Sequence, residues 1–529
     1  MISLPQILRA VVRRTSFLLP EFLRRKLLFD ILAPYRERGI PLLGKSSYQT
    51  GEFCELQLWK SLMDPASSER EEPNQYISPK QKSLLREIAS RFFPDSVHAR
   101  YDNKTTRSLL DSNRPARGTC IQTDYFDCRA DFIFPREEGW EVAIVKASAS
   151  PKKNHIQELS FIRMVLEEAG YKVGKTLLFT VNSKYFYNEG EIDADQILHR
   201  KDCSEETLAS LPYVKERAYQ LLEVLENDKL PSIRFSKHCP HPRNCSYKES
   251  CYEGDSPGDL FTLREGKDIT QVLWEKGIRN LSEVIPDEDF THRQRIQVEA
   301  VKSGKEYLNR EALVGFLDRL KFPLYYLDFE TINPPVPIYS KSNPFQHVPF
   351  LFSLHIQREN LQEEPEEYSY IEDGNIDPRS GILSALSEKI RPGGTVLAFN
   401  DTFEKRCLKE ATQAFPNFKS WFQSIEGDFV DLAKPFWDYD YYHPNQNGTT
   451  SLKTVLPVLT GAHYKDLSIN AGHLANSEFL RIKTEKVSQE ERSKVESELK
   501  AYCRMDTLAL VLILRKLAEK LEWAPKPKG

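Results

Sequence analysis

Leu324-Tyr325-Tyr326-Leu327-Asp328-Phe329-Glu330 decides the architecture of this 529-residue chain. The apolar and aromatic opening is that of a buried β-strand, and the two acids stand two apart at its end. Successive side chains on a strand point to opposite faces, so Asp328 and Glu330 project from the same face of the sheet. Paired carboxylates at the end of a buried strand cost several kcal/mol unless a cation lies between them; a solvated strand end is the alternative that needs no ion.

Working outward, residues 322–329, 350–356, 367–371 and 396–399 read as strands, and 382–390 as a helix. Two further helices, 452–459 and 488–521, close the segment. Three strands followed by alternating helices and strands predict a mixed α/β sheet. Glu404 falls in the first helical turn after the strand at 396–399, where it offers a third carboxylate to the rim of the sheet. Asp401 and Glu404 also fit a capping box, in which the Glu would only satisfy a backbone N–H. Tyr502 and Asp506 lie four apart, on one helical face, just before the apolar run Leu508–Leu514. A surface Asp on an amphipathic helix is the alternative there.

These segments resemble the DnaQ-like 3′-to-5′ exonucleases, the DEDD group on the ribonuclease H-like fold. Asp328 and Glu330 match the first motif, Glu404 stands where the second has Asp, and Tyr502 with Asp506 matches the Tyr-x-x-x-Asp of the tyrosine subgroup. The resemblance implies two ions, Mg²⁺ or Mn²⁺, on Asp328, Glu330, Glu404 and Asp506, with Tyr502 orienting the attacking water. It also implies that Phe329, Asn400 and Phe403 hold the terminal nucleotide.

Upstream, strands at 130–134, 142–145 and 176–181 alternate with helices at 81–93 and 156–169, again in α/β order. Cys239, Cys245 and Cys251 recur at six-residue intervals in a turn-rich loop, and Cys54 supplies a fourth soft ligand. One early and three late cysteines around an α/β core resemble the RecB-type and CRISPR-associated nucleases, which implies a 4Fe-4S cluster on those four, with Zn²⁺ as the alternative. The PD-(D/E)XK catalytic order of that group finds Asp131 and Lys146, but Ile144 occupies the acid position. Glu141, an odd five residues from Lys146, faces the other side of a regular strand unless a bulge intervenes. This half is therefore expected to bind nucleic acid or brace the fold rather than to cut.

The pairing of the two halves resembles a bacterial family of RecB-like/exonuclease fusions, carried by Leu324–Thr331, Asn343–Phe350, Ser451–Pro457 and Tyr502–Thr507. The implied division is a basic helical arm over 1–42, a RecB-like domain over 43–255 and a helical connector over 256–317. A DnaQ-like domain over 318–522 and a tail over 523–529 complete it. Within the connector, 273–286 reads as two helices around Gly277.

Composition sets the outer bounds. Forty per cent hydrophobic and 11% aromatic residues exclude a disordered or collagenous chain. Seventy-three basic against 77 acidic residues restrict any nucleic-acid surface to a local patch. No stretch approaches the roughly 20 apolar residues of a membrane span. The first forty residues lack a secretory pattern, so a cytoplasmic, reducing setting is expected, in which clustered cysteines mean metal rather than disulfides. The expected function is a metal-dependent 3′-to-5′ exonuclease acting on single-stranded ends of DNA or RNA, with the cysteine-framed half as a clamp. A non-catalytic nucleic-acid-binding scaffold is the alternative, and an endonuclease centred on Asp131 and Lys146 a third.

Overall fold

The computed structural model describes residues 41–64, 77–227, 258–372, 376–464 and 467–524, together with 230–231, 239, 245–247 and 251. All but Pro41 and Leu42 of the expected basic arm, Gly254, Ser256 and Pro257, and residues 525–529 lie outside the described residues.

The N-terminal half is built on a six-stranded mixed sheet. Its spatial order is β1 (Val97–His98), β2 (Ala116–Arg117), β3 (Phe132–Arg136), β4 (Gly139–Val145), β5 (Val173–Val181) and β6 (Leu198–Asp202). The helices of this half include α1 (Lys45–Phe53), α2 (Glu55–Met63), α3 (Pro79–Ser90), α4 (Lys153–Glu168) and α5 (Ser204–Glu226). Strands β4 and β5 are parallel, so a crossover is required between them, and α4 supplies it. Six of the seven residues of β4 are buried because both faces are covered. Val142 and Ile144 pack with Leu159 and Ile162 of α4, whereas Ala143 and Val145 pack with Leu85 and Ile88 of α3.

The C-terminal half carries a five-stranded sheet of β7 (Leu324–Ile332), β8 (Val348–Gln357), β9 (Glu366–Ile371), β10 (Thr395–Ala398) and β11 (Phe429–Asp431). The spatial order is β9-β8-β7-β10-β11; the first three are antiparallel, and β10 and β11 run parallel to β7. Its layers are formed by α6 (Pro378–Lys389) and α7 (Asp401–Ala414) on one face. On the other lie α8 (Leu452–Thr460), α9 (Gly472–Thr484) and α10 (Gln489–Leu521). The period-two alternation of β7 sends Tyr325, Leu327 and Phe329 into the first layer, and Leu324 and Tyr326 into the second. Asp328 and Glu330 continue the Leu324–Tyr326 face and therefore emerge beneath α10. The three-residue β11 and the helix α9 have no counterpart among the elements expected from the sequence.

Thr507 fixes the rotation of α10 over the sheet. Its hydroxyl lies 2.7 Å from Ser353 Oγ and 2.8 Å from His355 Nδ1, both on β8 and all three buried. Buried polar groups must be paired, so a turn of α10 that broke these contacts would cost about 1–3 kcal/mol.

The stretch between the sheets folds into helices Lys267–Glu275, His292–Ser303 and Arg310–Leu317. Gly277 makes its turn at φ 86°, but only a short 3₁₀ turn, Leu281–Glu283, follows, so the second helix expected before Pro286 does not form. Arg264 Nη1 donates to Thr450 Oγ1 at 3.2 Å, packing this segment onto the C-terminal half. The two halves also meet directly. Tyr187 N donates to Ser342 O at 3.0 Å, Asn343 Nδ2 donates to Tyr185 O at 2.8 Å, and Val336 is buried in the same core as Phe93 and Phe179. Among the described residues, no helix is long and apolar enough to cross a membrane.

Candidate active site

Two elements converge at the end of β7. The strand delivers Asp328 and Glu330, and α10, locked by Thr507, delivers Tyr502 and Asp506 from above. One carboxylate oxygen each from Asp328, Glu330 and Asp506 all lie within 4.8 Å of one another. Glu330 and Asp506 are buried and Asp328 is half-buried at the floor of a cleft, so neither a solvated strand end nor a surface helix describes them.

Burial, and then the mutual repulsion of Asp328, Glu330 and Asp506, pushes the Asp328 and Glu330 carboxyls well above the ordinary range. Asp506 is raised by burial to about 6, held back by hydrogen bonding from Tyr464 and Tyr502 and by the Lys453 ammonium. Tyr464 Oη donates to Asp506 Oδ1 at 2.7 Å. Lys453 Nζ sits 4.8 Å from the Tyr502 ring centroid and 5.4 Å from that of Tyr464. Burial lowers the Lys453 pKa, opposed by Asp506, Glu330 and Asp328. One ammonium against three carboxylates leaves the cluster short of positive charge.

Glu404 stands next to this group but outside its 4.8 Å limit. The capping box does not form: the helix begins at Asp401 after Asn400, which adopts a left-handed φ of 80°, and Asp401 pairs instead with Lys405 at 2.8 Å. Glu404 is only 3% exposed, and its Oε2 has no hydrogen-bond partner among the described residues. Burial first, and Asp328 second, raise its pKa well above the usual value. An orphaned buried carboxylate oxygen beside further acids fits a bound cation, which would satisfy it.

The cleft has a volume of about 860 Å³ and is walled by both halves. Phe403 lines it, with its ring edge-on to His347 at 5.0 Å. Phe329 also lines the cleft, although most of its side chain is buried in the core beneath α6 and α7, whereas Asn400 is absent from the lining and spends its N–H on Asp431 Oδ1 at 2.8 Å. Tyr464 and Lys453 were missed as site residues by sequence reasoning. Lys453 lies in the quoted stretch Ser451–Pro457, which was the available signal; Tyr464 offered none.

At the corresponding strand end in the N-terminal half every acid has a cationic partner. Asp131 accepts from Arg86 Nε at 2.6 Å and from Val145 N at 2.7 Å. Lys146 pairs with Glu158, which also accepts from Lys45 Nζ at 2.7 Å. Ile144 is fully buried in the core, and Glu141 pairs with Arg136 at 3.0 Å. The register irregularity of β4 falls between Trp140 and Glu141, before the interval that would have turned Glu141 toward Lys146.

Cys54 opens α2 and is buried. Cys245 accepts from Gln57 Nε2 at 3.3 Å, and the Cys251 thiol is pushed to about 11 by burial and then by Cys54, Cys245 and Cys239. The four thiols thus influence one another, yet no three of them lie within 4.8 Å.

A family described as a domain of unknown function (DUF2779) matches residues 325–451, which include Asp328, Glu330 and Glu404. The uncharacterized protein MG366 of Mycoplasma genitalium is 24% identical over 275 residues, covering 48% of this chain and 41% of the relative. Its Mycoplasma pneumoniae homolog is 28% identical over 215 residues, covering 37% and 32%. The chain thus spans well under half the length of the curated relatives it matches. A crystal structure of SSO0001 aligns at 16% identity over 39% of this chain and 98% of that one, with a TM-score of 0.15. The stretch similar to the DUF2779 family runs from β7 through α7 to beyond β11, so it spans Asp328, Glu330 and Glu404 and leaves Asp506 outside.

Proposed function

We propose that this protein is a metal-dependent 3′-to-5′ exonuclease acting on single-stranded nucleic-acid ends. The observation that carries the reading is the convergence of Asp328, Glu330 and Asp506 within 4.8 Å, from segments more than 170 residues apart, at a cleft floor short of positive charge. The order β9-β8-β7-β10-β11, an antiparallel trio extended by two parallel strands, supports a ribonuclease H-like assignment for this sheet.

Asp328, Glu330 and Asp506, with Glu404 beside them, would hold Mg²⁺ or Mn²⁺, whose chemistry in such a site is to activate water and neutralise a phosphodiester. Tyr502 keeps its proton, because burial and the adjoining carboxylates raise its pKa far above neutrality. It therefore positions a water by hydrogen bonding and does not act as a free base. Tyr464 fixes the orientation of Asp506. Phe403, with Phe399 and Phe345, offers aromatic faces in the cleft for an unpaired terminal base.

For the cysteines, we infer a 4Fe-4S cluster on Cys54, Cys239, Cys245 and Cys251, with Zn²⁺ as the alternative, from the one-early, three-late placement of four thiols that act on one another. A brown protein with absorption in the near-ultraviolet and visible agrees; a colourless one with stoichiometric zinc refutes it. The ion-paired Asp131–Lys146 end supports a bracing role for that half and no cutting.

The test is incubation of 5′-labelled oligonucleotides with Mg²⁺ or Mn²⁺. A ladder of shortened products that vanishes in Asp328→Ala is expected. No ladder, or one unchanged in that variant, refutes the proposal. Lys453, an exposed lysine whose charge acts on the acids, is the feature that favours the non-catalytic scaffold; tight strand binding with no shortening in either metal would establish that reading instead.

A further inference from the structure

The wall of the cleft facing the carboxylates belongs to the other half of the molecule. Its N-terminal lining includes Ser148, Ser150, Lys152 and Ser183, and it contains no acid. All the carboxylates that line the cleft are on the C-terminal side. We propose that the loop Ser148–Lys152, with Ser183, holds the sugar-phosphate backbone of a nucleic-acid strand across the cleft while the carboxylates act on its end; this rests on the nuclease reading of the site.

Three features suit the loop to phosphate. It is the exit of β4 into α4, so it lies at the N-terminus of a sixteen-residue helix, and no acidic residue occupies the first turn of that helix. Acids are favoured there; with none present, and with Lys152 N already donating to His155 Nδ1 at 3.2 Å, the helix start offers an anion its dipole and the Lys152 ammonium. Second, the loop is held in shape. Ser148 O accepts from Val181 N at 2.9 Å, and Ser148 Oγ donates to Ser150 O at 3.1 Å. The contacts of Tyr187 and Tyr185 with Ser342 and Asn343 hold the two halves together, so the loop's place opposite the carboxylates is set.

Third, the nearby cations are already committed. Lys146 and Lys45 share Glu158 as their ion-pair partner, and Arg86 pairs with Asp131. Lys152 is exposed and carries the positive charge that this half presents to the cleft. Serine hydroxyls, backbone N–H groups at a helix start and a lysine are the donors by which proteins position phosphates without reading bases. Bases on such a strand would face Phe345, Phe399 and Phe403. The half that has lost its cutting centre thereby gains a substrate-holding role at the neighbouring one.

The experiment measures binding apart from cleavage: fluorescence anisotropy of 5′-fluorescein oligothymidylate and oligouridylate with the full chain in Ca²⁺. Lys152→Glu is expected to weaken binding about tenfold and to reduce the slope of log affinity against log salt by about one. Lys152→Arg is expected to restore both. Lys276→Glu, on an exposed helix end outside the cleft, makes the same change in net charge and is expected to bind as the unaltered chain does. Lys152→Glu binding no worse than Lys276→Glu, or an unaltered chain that binds neither strand, overturns the proposal. A strand held through Lys152 but never shortened in Mn²⁺ supports the wall while overturning the nuclease reading.

Discussion

Each half of this molecule ends a central strand with charged side chains, and the two ends solve the problem of buried charge in opposite ways. In the N-terminal half Asp131 meets Arg86, Glu158 meets Lys45 and Lys146, and Glu141 meets Arg136. Lys45 and Lys146 hold the Glu158 carboxyl below its usual range against the opposing effect of burial. In the C-terminal half Asp328, Glu330, Glu404 and Asp506 crowd together with Lys453 and are all driven upward. A paired network is complete in itself. A like-charged cluster is stable only with protons or cations added, and such perturbed groups in a cleft mark a working site. The contrast separates an ion-paired strand end from a like-charged cluster within one chain.

The sharpest way to break that contrast is to remove one acid from the cluster. Asp328→Ala or Asp506→Ala is expected to reduce hydrolysis at least about 10³-fold, equivalent to roughly 4 kcal/mol of barrier. Their melting temperatures in metal-free buffer should stay level or rise, because a repelling buried charge has gone. A large loss of stability would instead make these acids structural.

Cation addition should distinguish the halves next. Mn²⁺ at a hundred times its dissociation constant is expected to stabilise the chain by about 2.7 kcal/mol, read as a rise in thermal midpoint reversed by chelation. Asp506→Asn should abolish the rise. If it persists there, the ion sits elsewhere.

Glu158→Ala makes the opposite demand on the N-terminal half. Two lysines lose their shared partner, at a cost of about 2 kcal/mol measured by urea unfolding; the figure is at the low end for broken buried pairs because both lysines reach water. Hydrolysis per folded molecule should not change, and a loss of activity would show that the Asp131–Lys146 strand end contributes to it.

The smallest effect concerns Lys453. Lys453→Met removes an ammonium that competes with a metal ion, so Mn²⁺ binding measured by calorimetry should tighten by less than about tenfold, or around 1 kcal/mol. Weaker binding would assign Lys453 to holding the acids in place.

Much of this could be read locally. The strand at 324–330 shows its two-fold alternation, the Tyr502–Asp506 pair its helical spacing, and Ile144 the gap in the upstream motif. Other features were ambiguous at that level. Asp401 and Glu404 matched a capping box, and only the left-handed Asn400, which shifts the helix start, shows that Glu404 is instead buried among acids. The three-residue β11 was too short to carry a period, and the segment after Gly277 forms only one 3₁₀ turn although Leu281 and Val284 are buried in a local core.

By itself the amino-acid order determined which side chains share a face, because strand and helix periods are properties of the local backbone. It thereby set Asp328 beside Glu330 and Tyr502 one turn from Asp506. Packing alone decided that these pairs meet, that Tyr464 reaches Asp506 from 42 residues away, and that Arg86 and Glu158 silence the other strand end. Those contacts join residues distant in sequence, and their existence depends on how whole layers of helix settle on a sheet, which no local pattern specifies.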